Sequence, residues 1–390
     1  MARNPQHEMM ARQTQEEFSR QLFVMTLKQV LNRDLRPISR LVYDTRVAPA
    51  FAAEHGRAPE SPSEIQQAME RDVSYQMFSS MLRSAQEMLW NAVLDTVKRE
   101  EPRQRAAAAR LTAPGKAKGT LSLDPAFQVP RGIAQINIHL QPYGYALDRD
   151  AGDVMAGALY ESGGALYSAG QGIGTRESKA EVVRRFLNER YPGFTPRKIL
   201  DIGCSAGNSA TPWAAMFPDA EVHAVDVGAG LLRYAHARAE ALGVTVHFHQ
   251  MDAANLTFPN ESFDLIVSHN AMHEMPTKTT RAMIHRSWDL LRPGGVVVHQ
   301  DVPLRFAGAD AWMQFERSWD QYYNNEPYWI AYASNEYAPM LCEAGFPEDS
   351  VWRGFFKQLD GATPMPWFIN AARKPLDGVK AVPHFSEAAE

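Results

Sequence analysis

From residue 198 onward, short apolar runs alternate with helical stretches, and this alternation constrains the fold more than any other feature of the chain. The apolar runs are 198–202, 221–227, 244–250, 263–268 and 295–301, with helical patterns at 178–190, 229–242 and 277–291. Short apolar strands that trade places with helices belong to a parallel sheet covered on both faces. After a helix at 334–344, which stops at Gly345, two strand-like runs lie near 351–358 and 366–373 with a Gly- and Pro-containing turn between them. Strands joined that closely must be antiparallel. The pattern therefore predicts an α/β domain whose sheet ends in an antiparallel hairpin.

At 390 residues the chain is long enough for two cores. Residues 1–110 read as mainly helical. Phe18, Leu22, Phe23, Leu27, Val30 and Leu31 recur at helical spacing, as do Ile65, Met69, Val73, Met77, Met81, Met88, Leu89 and Val93. The second stripe reads as core or as a dimer face. Residues 98–119, with Lys98, Arg99, Arg103, Arg105, Arg110, Lys116 and Lys118, read as a solvated basic linker. Segment 120–175 is rich in Gly and Tyr and resists assignment. The expected division is 1–175 for a helical lid and dimerisation domain, 176–376 for the α/β domain and 377–390 for a tail.

A net charge of -5 argues against non-specific nucleic-acid binding, which needs basic surface. Cys204 and Cys342 are the only cysteines and suggest neither a disulfide framework nor a structural zinc site. Residues 1–20 lack the apolar core of a signal peptide, and no apolar run is long enough to span a bilayer. The expectation is a reduced cytoplasmic protein.

The chemistry concentrates first at Ile199-Leu200-Asp201-Ile202-Gly203-Cys204-Ser205-Ala206-Gly207, a strand running into a turn of small residues. Small residues let a backbone approach a ligand closely. Asp201 would repel a pyrophosphate and attract a ligand with an amino group. The dinucleotide fingerprint fails, because Ser205 and Asn208 replace its second and third glycines. Gly203 to Gly207 also fits the nucleophile elbow of serine hydrolases, with Ser205 as nucleophile and Asp301 and His384 as partners. Two further acids favour a cofactor crevice: Asp226 ends the second strand, where a carboxylate can accept ribose hydroxyls, and Asp252 follows the third.

With Phe263-Asp264-Leu265-Ile266 and Leu291-Arg292-Pro293-Gly294-Gly295 added, residues 178–374 resemble the class I S-adenosylmethionine-dependent methyltransferase family. The resemblance implies a Rossmann-like, seven-stranded methyltransferase sheet with a C-terminal antiparallel hairpin and S-adenosyl-L-methionine as cofactor. It implies that Asp201, Gly203, Cys204, Ser205 and Gly207 wrap the methionine moiety. Asp226 and Val227 would meet the ribose, Asp252 and Ala253 the adenine, and His269 would border the crevice.

Ser268-His269-Asn270-Ala271-Met272-His273-Glu274-Met275 follows the fourth strand, where the family handles its substrate. His273 is a candidate base for an acceptor hydroxyl and Glu274 a candidate to orient it. A structural role at a helix start is the alternative. No metal site is assigned, since His269 and His273 lack a third ligand. Tyr143, Tyr145 and Tyr167, with Trp319, Tyr322 and Tyr323 from the aromatic stretch 312–333, are candidate substrate contacts. That stretch reads equally as a helix face packed on the N-terminal half. The expected reaction is methyl transfer to a small apolar or aromatic molecule, with oxygen favoured over carbon or nitrogen. The expected assembly is a homodimer without nucleic acid. A serine hydrolase and a non-catalytic binding protein are the alternatives.

Overall fold

The computed structural model describes residues 6–167, 179–357 and 366–380. His384 and the turn between the last two strands lie outside them, as does the side chain of Tyr167.

The strands are β1 (Thr120–Ser122), β2 (Lys198–Ile202), β3 (Glu221–Asp226), β4 (His247–Gln250), β5 (Phe263–His269), β6 (Leu291–Asp301), β7 (Trp352–Lys357) and β8 (Pro366–Arg373). They form one sheet in the order β1-β4-β3-β2-β5-β6-β8-β7. β8 runs antiparallel to β6 and β7, and the other pairings are parallel. The chain belongs to the α/β class with a Rossmann-like sheet. The apolar pattern does not announce the eighth strand, β1. It comes from the unassigned segment and adds an edge beside β4.

Side chains alternate across each strand, so the sheet separates two cores. Leu200, Ile202, Val225, Ile266 and Val297 face one, where Trp288 and Phe346 pack. Ile199, Ala224, Leu265, Val267 and Val298 face the other, with Phe186 and Trp213. The run Leu291–Gly295, expected as a turn, is drawn into the start of β6 across a register shift, with Gly294 at φ 81°.

The expected linker at 98–119 is corrected by the structure. One helix runs unbroken over Val73–Leu111, with Pro102 inside it. Its arginines are spent in pairs with acids from elsewhere: Arg99 with Glu17, Arg105 with Asp150 and Arg110 with Glu8. The stripe read as core or dimer face divides, with Ile65, Met69, Leu89 and Val93 buried and its remaining members exposed. The helix buries Tyr75, Phe78, Leu82, Ala85, Leu89 and Val93, whereas Val73, Met77, Met81 and Met88 lie outside.

The helix Gln15–Val30 is inverted in the same sense. It turns Glu17, Gln21, Val24 and Lys28 inward and leaves Phe18, Leu22, Phe23 and Val30 exposed. Gln21 donates to Thr96 Oγ1 at 3.0 Å and to the Ala92 carbonyl at 3.2 Å, which satisfies its buried amide.

The boundary drawn at 175 does not separate two cores. Val24, Leu89, Val93 and Leu159 from the N-terminal half share a cluster with Tyr234 and with Ala206 of the glycine turn. Glu161, on the helix Met155–Tyr167, receives Arg238 Nε at 2.9 Å and Tyr234 Oη at 2.5 Å. Arg238 in turn donates to the Gly207 carbonyl at 3.1 Å. The N-terminal half thus braces the turn that follows β2.

Candidate active site

Ligands of open α/β sheets sit outside the carboxyl ends of the strands, where the strand order reverses. Here that point lies between β2 and β5. Asp201, at the end of β2, is fully buried. Ser209 Oγ donates to its Oδ2 at 2.5 Å, while Oδ1 has no hydrogen-bond partner. Burial pushes its carboxyl up to about 7, against the Ser209 hydrogen bond.

The turn beyond it needs left-handed backbone at Gly203 (φ 75°), Ser205 (φ 49°) and Gly207 (φ 79°). A Cβ on Gly203 would stand 2.8 Å from the Ala271 Cβ, so the loops after β2 and β5 touch. Cys204 is buried, and its backbone N–H donates to the Val225 carbonyl at 3.0 Å. Asp226, at the end of β3, accepts the Ser205 N–H at 2.9 Å and the Gly228 N–H at 3.0 Å. The Val227 carbonyl accepts Gln250 Nε2 at 3.0 Å. Asp252 and Ala253 lie half-buried after β4, with Asp252 accepting the Ala254 N–H at 2.9 Å. These residues share one crevice edge, as the three strand ends require.

His269 is the exception. Its Nε2 accepts Trp213 Nε1 at 3.1 Å, and its Nδ1 meets Gln300 Oε1 at 2.9 Å. Burial lowers its pKa to about 4, so the ring is neutral. Both nitrogens are committed beneath the sheet, which removes its side chain from the crevice and from any pairing with His273.

A second polar cluster adjoins the crevice. Beyond β5, Asn270 takes φ 53° and the turn Met272–Glu274 follows. Asp301, at the end of β6, anchors this turn: its Oδ2 accepts the Met272 N–H at 2.8 Å, and its Oδ1 takes His273 Nδ1 at 2.5 Å. Burial opposes the imidazolium of His273, but Asp301 outweighs it and lifts the pKa to about 8. Asp301, not Glu274, therefore orients this ring.

Glu274 Oε1 instead meets His139 Nε2 at 2.9 Å and the Tyr145 hydroxyl at 3.2 Å, and lies 3.6 Å from His273 Nε2. The other nitrogen of His139 contacts Glu326, which is only 1% exposed. Burial disfavours the charge on His139, yet Glu326 and Glu274 together raise its pKa well above the ordinary histidine value. The long N-terminal helix fixes His139 from behind, because Trp90 Nε1 and Gln86 Nε2 donate to its carbonyl at 2.6 and 3.0 Å. Trp329 and Tyr332 stand edge-on to the His273 ring, with centroids at 5.5 and 5.9 Å.

Among the described side chains of the proposed substrate contacts, Tyr145 touches this corner. Its ring also lies 5.8 Å from that of Tyr160. Burial pushes Tyr160 up to about 12, eased by a hydrogen bond with Ser205, so the aromatic pair links corner and crevice. Tyr143 is half exposed. Trp319 is buried against the N-terminal helices and donates to Ser79 Oγ at 3.2 Å. Tyr323 donates to Glu70 at 2.7 Å, and Tyr322 is exposed. Of the two readings of 312–333, these residues fit the packed helix face. Trp329 and Tyr332 turn to the corner instead, as does Glu326, which the sequence reading misses.

Among the described residues no histidine hydrogen-bonds Ser205, whose side chain lies near enough to Tyr160 to ease the rise of that tyrosine's pKa. The His273–Asp301 pair belongs to the loop after β5, not to the turn that carries Ser205.

Residues 199–295 match the family model of a methyltransferase domain. A trans-aconitate 2-methyltransferase from Methylobacterium radiotolerans is 39% identical over 114 residues, 29% of this chain and 41% of that protein. The chain thus spans about two fifths of that relative's length. A trans-aconitate 2-methyltransferase from Rhodococcus jostii is 24% identical over 207 residues, 51% of this chain and 78% of that protein. A solved O-methyltransferase-like structure from Nostoc punctiforme overlays 85% of this chain and 96% of its own at 16% identity, but a TM-score of 0.44 is too loose to argue from.

Residues 199–295 therefore carry a methyltransferase domain. The crevice is compatible with S-adenosylmethionine as cofactor. Asp201 carries a buried carboxylate oxygen without a hydrogen-bond partner, which an ammonium could fill, and Gly203 and Gly207 supply the left-handed backbone of the turn, packed against Ala271 and Ala235.

Proposed function

We propose that the protein transfers a methyl group to an oxygen atom of a small molecule with an apolar or aromatic body. The observation that carries this is the buried corner of His139, His273, Glu274 and Glu326, which adjoins the crevice through Tyr145 and Tyr160. The cofactor supplies an electrophilic methyl group on a sulfonium. Asp201 would hold its ammonium, and Asp226 would accept its ribose hydroxyls with lone pairs left over from two backbone N–H bonds. At the corner, the Asp301 carboxylate holds His273 so that Nε2 faces the acceptor. Above about pH 8, where the His273 ring loses its proton, Nε2 can draw a proton from a hydroxyl, as can the Glu274 carboxylate. Trp329 and Tyr332 supply apolar walls that exclude water.

The acceptor of the aconitate enzymes does not transfer with the domain. His139 and Glu326 both lie outside the matched stretch 199–295. A screen of labelled methyl transfer against phenols, carboxylic acids and amines tests the reading. Transfer to a phenolic or other hydroxyl oxygen is the expected result, and transfer confined to amines would sink it.

The exposed Phe18, Leu22, Phe23 and Val30 on one helix and Met77 and Met81 on the long helix support a second copy as the cover of the N-terminal helices. Sedimentation should give a dimer that Phe23→Asp weakens. A wild-type monomer at micromolar concentration would exclude it.

A further inference from the structure

We propose that His139, His273, Glu274 and Glu326 bind a divalent transition-metal cation. One donor atom from each of the four lies within 4.8 Å of all the others. Donors at about 2.1 Å from one cation stand about 3.4 Å apart in a tetrahedron and about 4.2 Å apart across an octahedron. The most widely spaced of the four would therefore close on an ion by roughly 0.5 to 1.5 Å, within the reach of side-chain rotation.

The donors come from three separate places in the chain, and His139, His273 and Glu274 are held by groups outside the cluster. Asp301 fixes His273 through Nδ1 and leaves Nε2 toward the cluster, the carboxylate–histidine arrangement that orients metal ligands. The Tyr145 hydroxyl donates to Glu274, and Trp90 and Gln86 hold the His139 backbone.

The charge balance points the same way. Glu274 Oε2 and Glu326 Oε2 are buried without a hydrogen-bond partner, and Glu326 is 1% exposed. An ionised carboxylate left in that state costs several kcal/mol or more. A proton on His139 compensates one edge of each glutamate but does not reach these two oxygens. A cation among all four donors does. Two imidazoles with two carboxylates suit manganese, iron, cobalt or zinc rather than magnesium or calcium, which prefer all-oxygen shells.

The role of such an ion rests on the reading of this corner as the acceptor site. It would hold the acceptor by an oxygen donor, and His273 would then serve as a ligand rather than as the base. Its binding does not rest on that reading, so the two can be tested apart.

The protein is stripped with a chelator and titrated with Co²⁺, followed by visible absorption and by metal content after dialysis. S-adenosylmethionine binding is measured by calorimetry on the same stripped sample. One saturable equivalent per chain is expected, abolished by His139→Ala and by Glu326→Gln. Asp301→Asn, which removes no ligand, should weaken it about 10- to 100-fold. Circular dichroism and melting curves confirm that the variants fold. Absence of saturable Co²⁺ binding, or binding unchanged in folded Glu326→Gln and His139→Ala, overturns the proposal. If the stripped sample fails to bind Co²⁺ but still binds the cofactor and transfers methyl groups, the metal site alone has failed. If it binds metal but not the cofactor, the methyltransferase reading has failed instead.

Discussion

The cofactor crevice and the acceptor corner are neighbours built in opposite ways. The crevice comes from one stretch, Asp201 to Ala253, in which successive strands each end on an acid. The corner draws His139 from an irregular segment, His273 and Glu274 from the loop after β5, and Glu326 from the segment following β6. In the crevice the sheet itself places the carboxylates. In the corner, positions depend on contacts made by distant regions of the chain, such as Trp90 on the His139 carbonyl. A domain built this way can keep its cofactor chemistry while its acceptor changes, because the two sets of residues are supplied separately.

The largest expected effect tests whether the regions are functionally separate. His273→Ala should lower methyl transfer by about 10²- to 10⁴-fold with little change in cofactor affinity. Single-turnover assays with calorimetry would check this. A parallel loss of cofactor affinity would mean that corner and crevice form one site.

A smaller effect belongs to the crevice alone. Asp201 has its pKa raised to about 7 by burial, and Ser209, Asp226 and Lys179 act on it as well. Below pH 7 it is protonated and cannot pair with an ammonium. Cofactor affinity should then fall about tenfold per pH unit, reaching roughly a hundredfold at pH 5. The sign for stability is opposite. A carboxyl whose folded pKa is raised costs stability as pH climbs from its ordinary value toward 7, so the cofactor-free protein should melt lower at pH 7 than at pH 5 through this group. A flat affinity profile would remove Asp201 from the ammonium site.

Asp226→Ala comes next. Loss of a charged acceptor for ribose hydroxyls is worth about 1.5–3 kcal/mol, or roughly ten- to a hundredfold in affinity. Calorimetry showing unchanged affinity in folded protein would place the ribose elsewhere.

The same contrast explains what can be read from the sequence. Strand ends repeat at a regular interval, so Asp201, Asp226 and Asp252 announce themselves. His139 and Glu326 carry no periodic signal. His139 sits at φ 57° among turns, and Glu326 lies in a run of aromatics that draws attention to its rings. Asp301 is visible, but only as an acid for a hydrolase triad. The N-terminal stripes mislead because apolar spacing shows that a helix has a face, not which way the face points. At Gln15–Val30 the polar side is the buried one, since Thr96 and the Ala92 carbonyl lie ready to bond Gln21. The basic run near Arg99 looks solvated because its partners, Glu17, Asp150 and Glu8, are remote in sequence.

The smallest expected effect separates the enzyme classes. Ser205 stands where both a hydrolase nucleophile and a cofactor turn would place a small residue. As a nucleophile it needs a histidine within hydrogen-bond reach. In the structure its hydroxyl meets Tyr160, and its backbone N–H serves Asp226. Its φ of 49° is a strain that alanine shares, so Ser205→Ala changes neither the turn nor the Asp226 contact. What it removes is a hydroxyl beside Tyr160, worth at most one hydrogen bond of about 1 kcal/mol, so methyl transfer should stay within roughly tenfold of wild type. A nucleophile's removal would cost several orders of magnitude instead. Parallel assays of methyl transfer and ester hydrolysis on the variant decide the matter. Collapse of hydrolysis with methyl transfer absent from both proteins would reassign the turn from holding a cofactor to carrying a nucleophile.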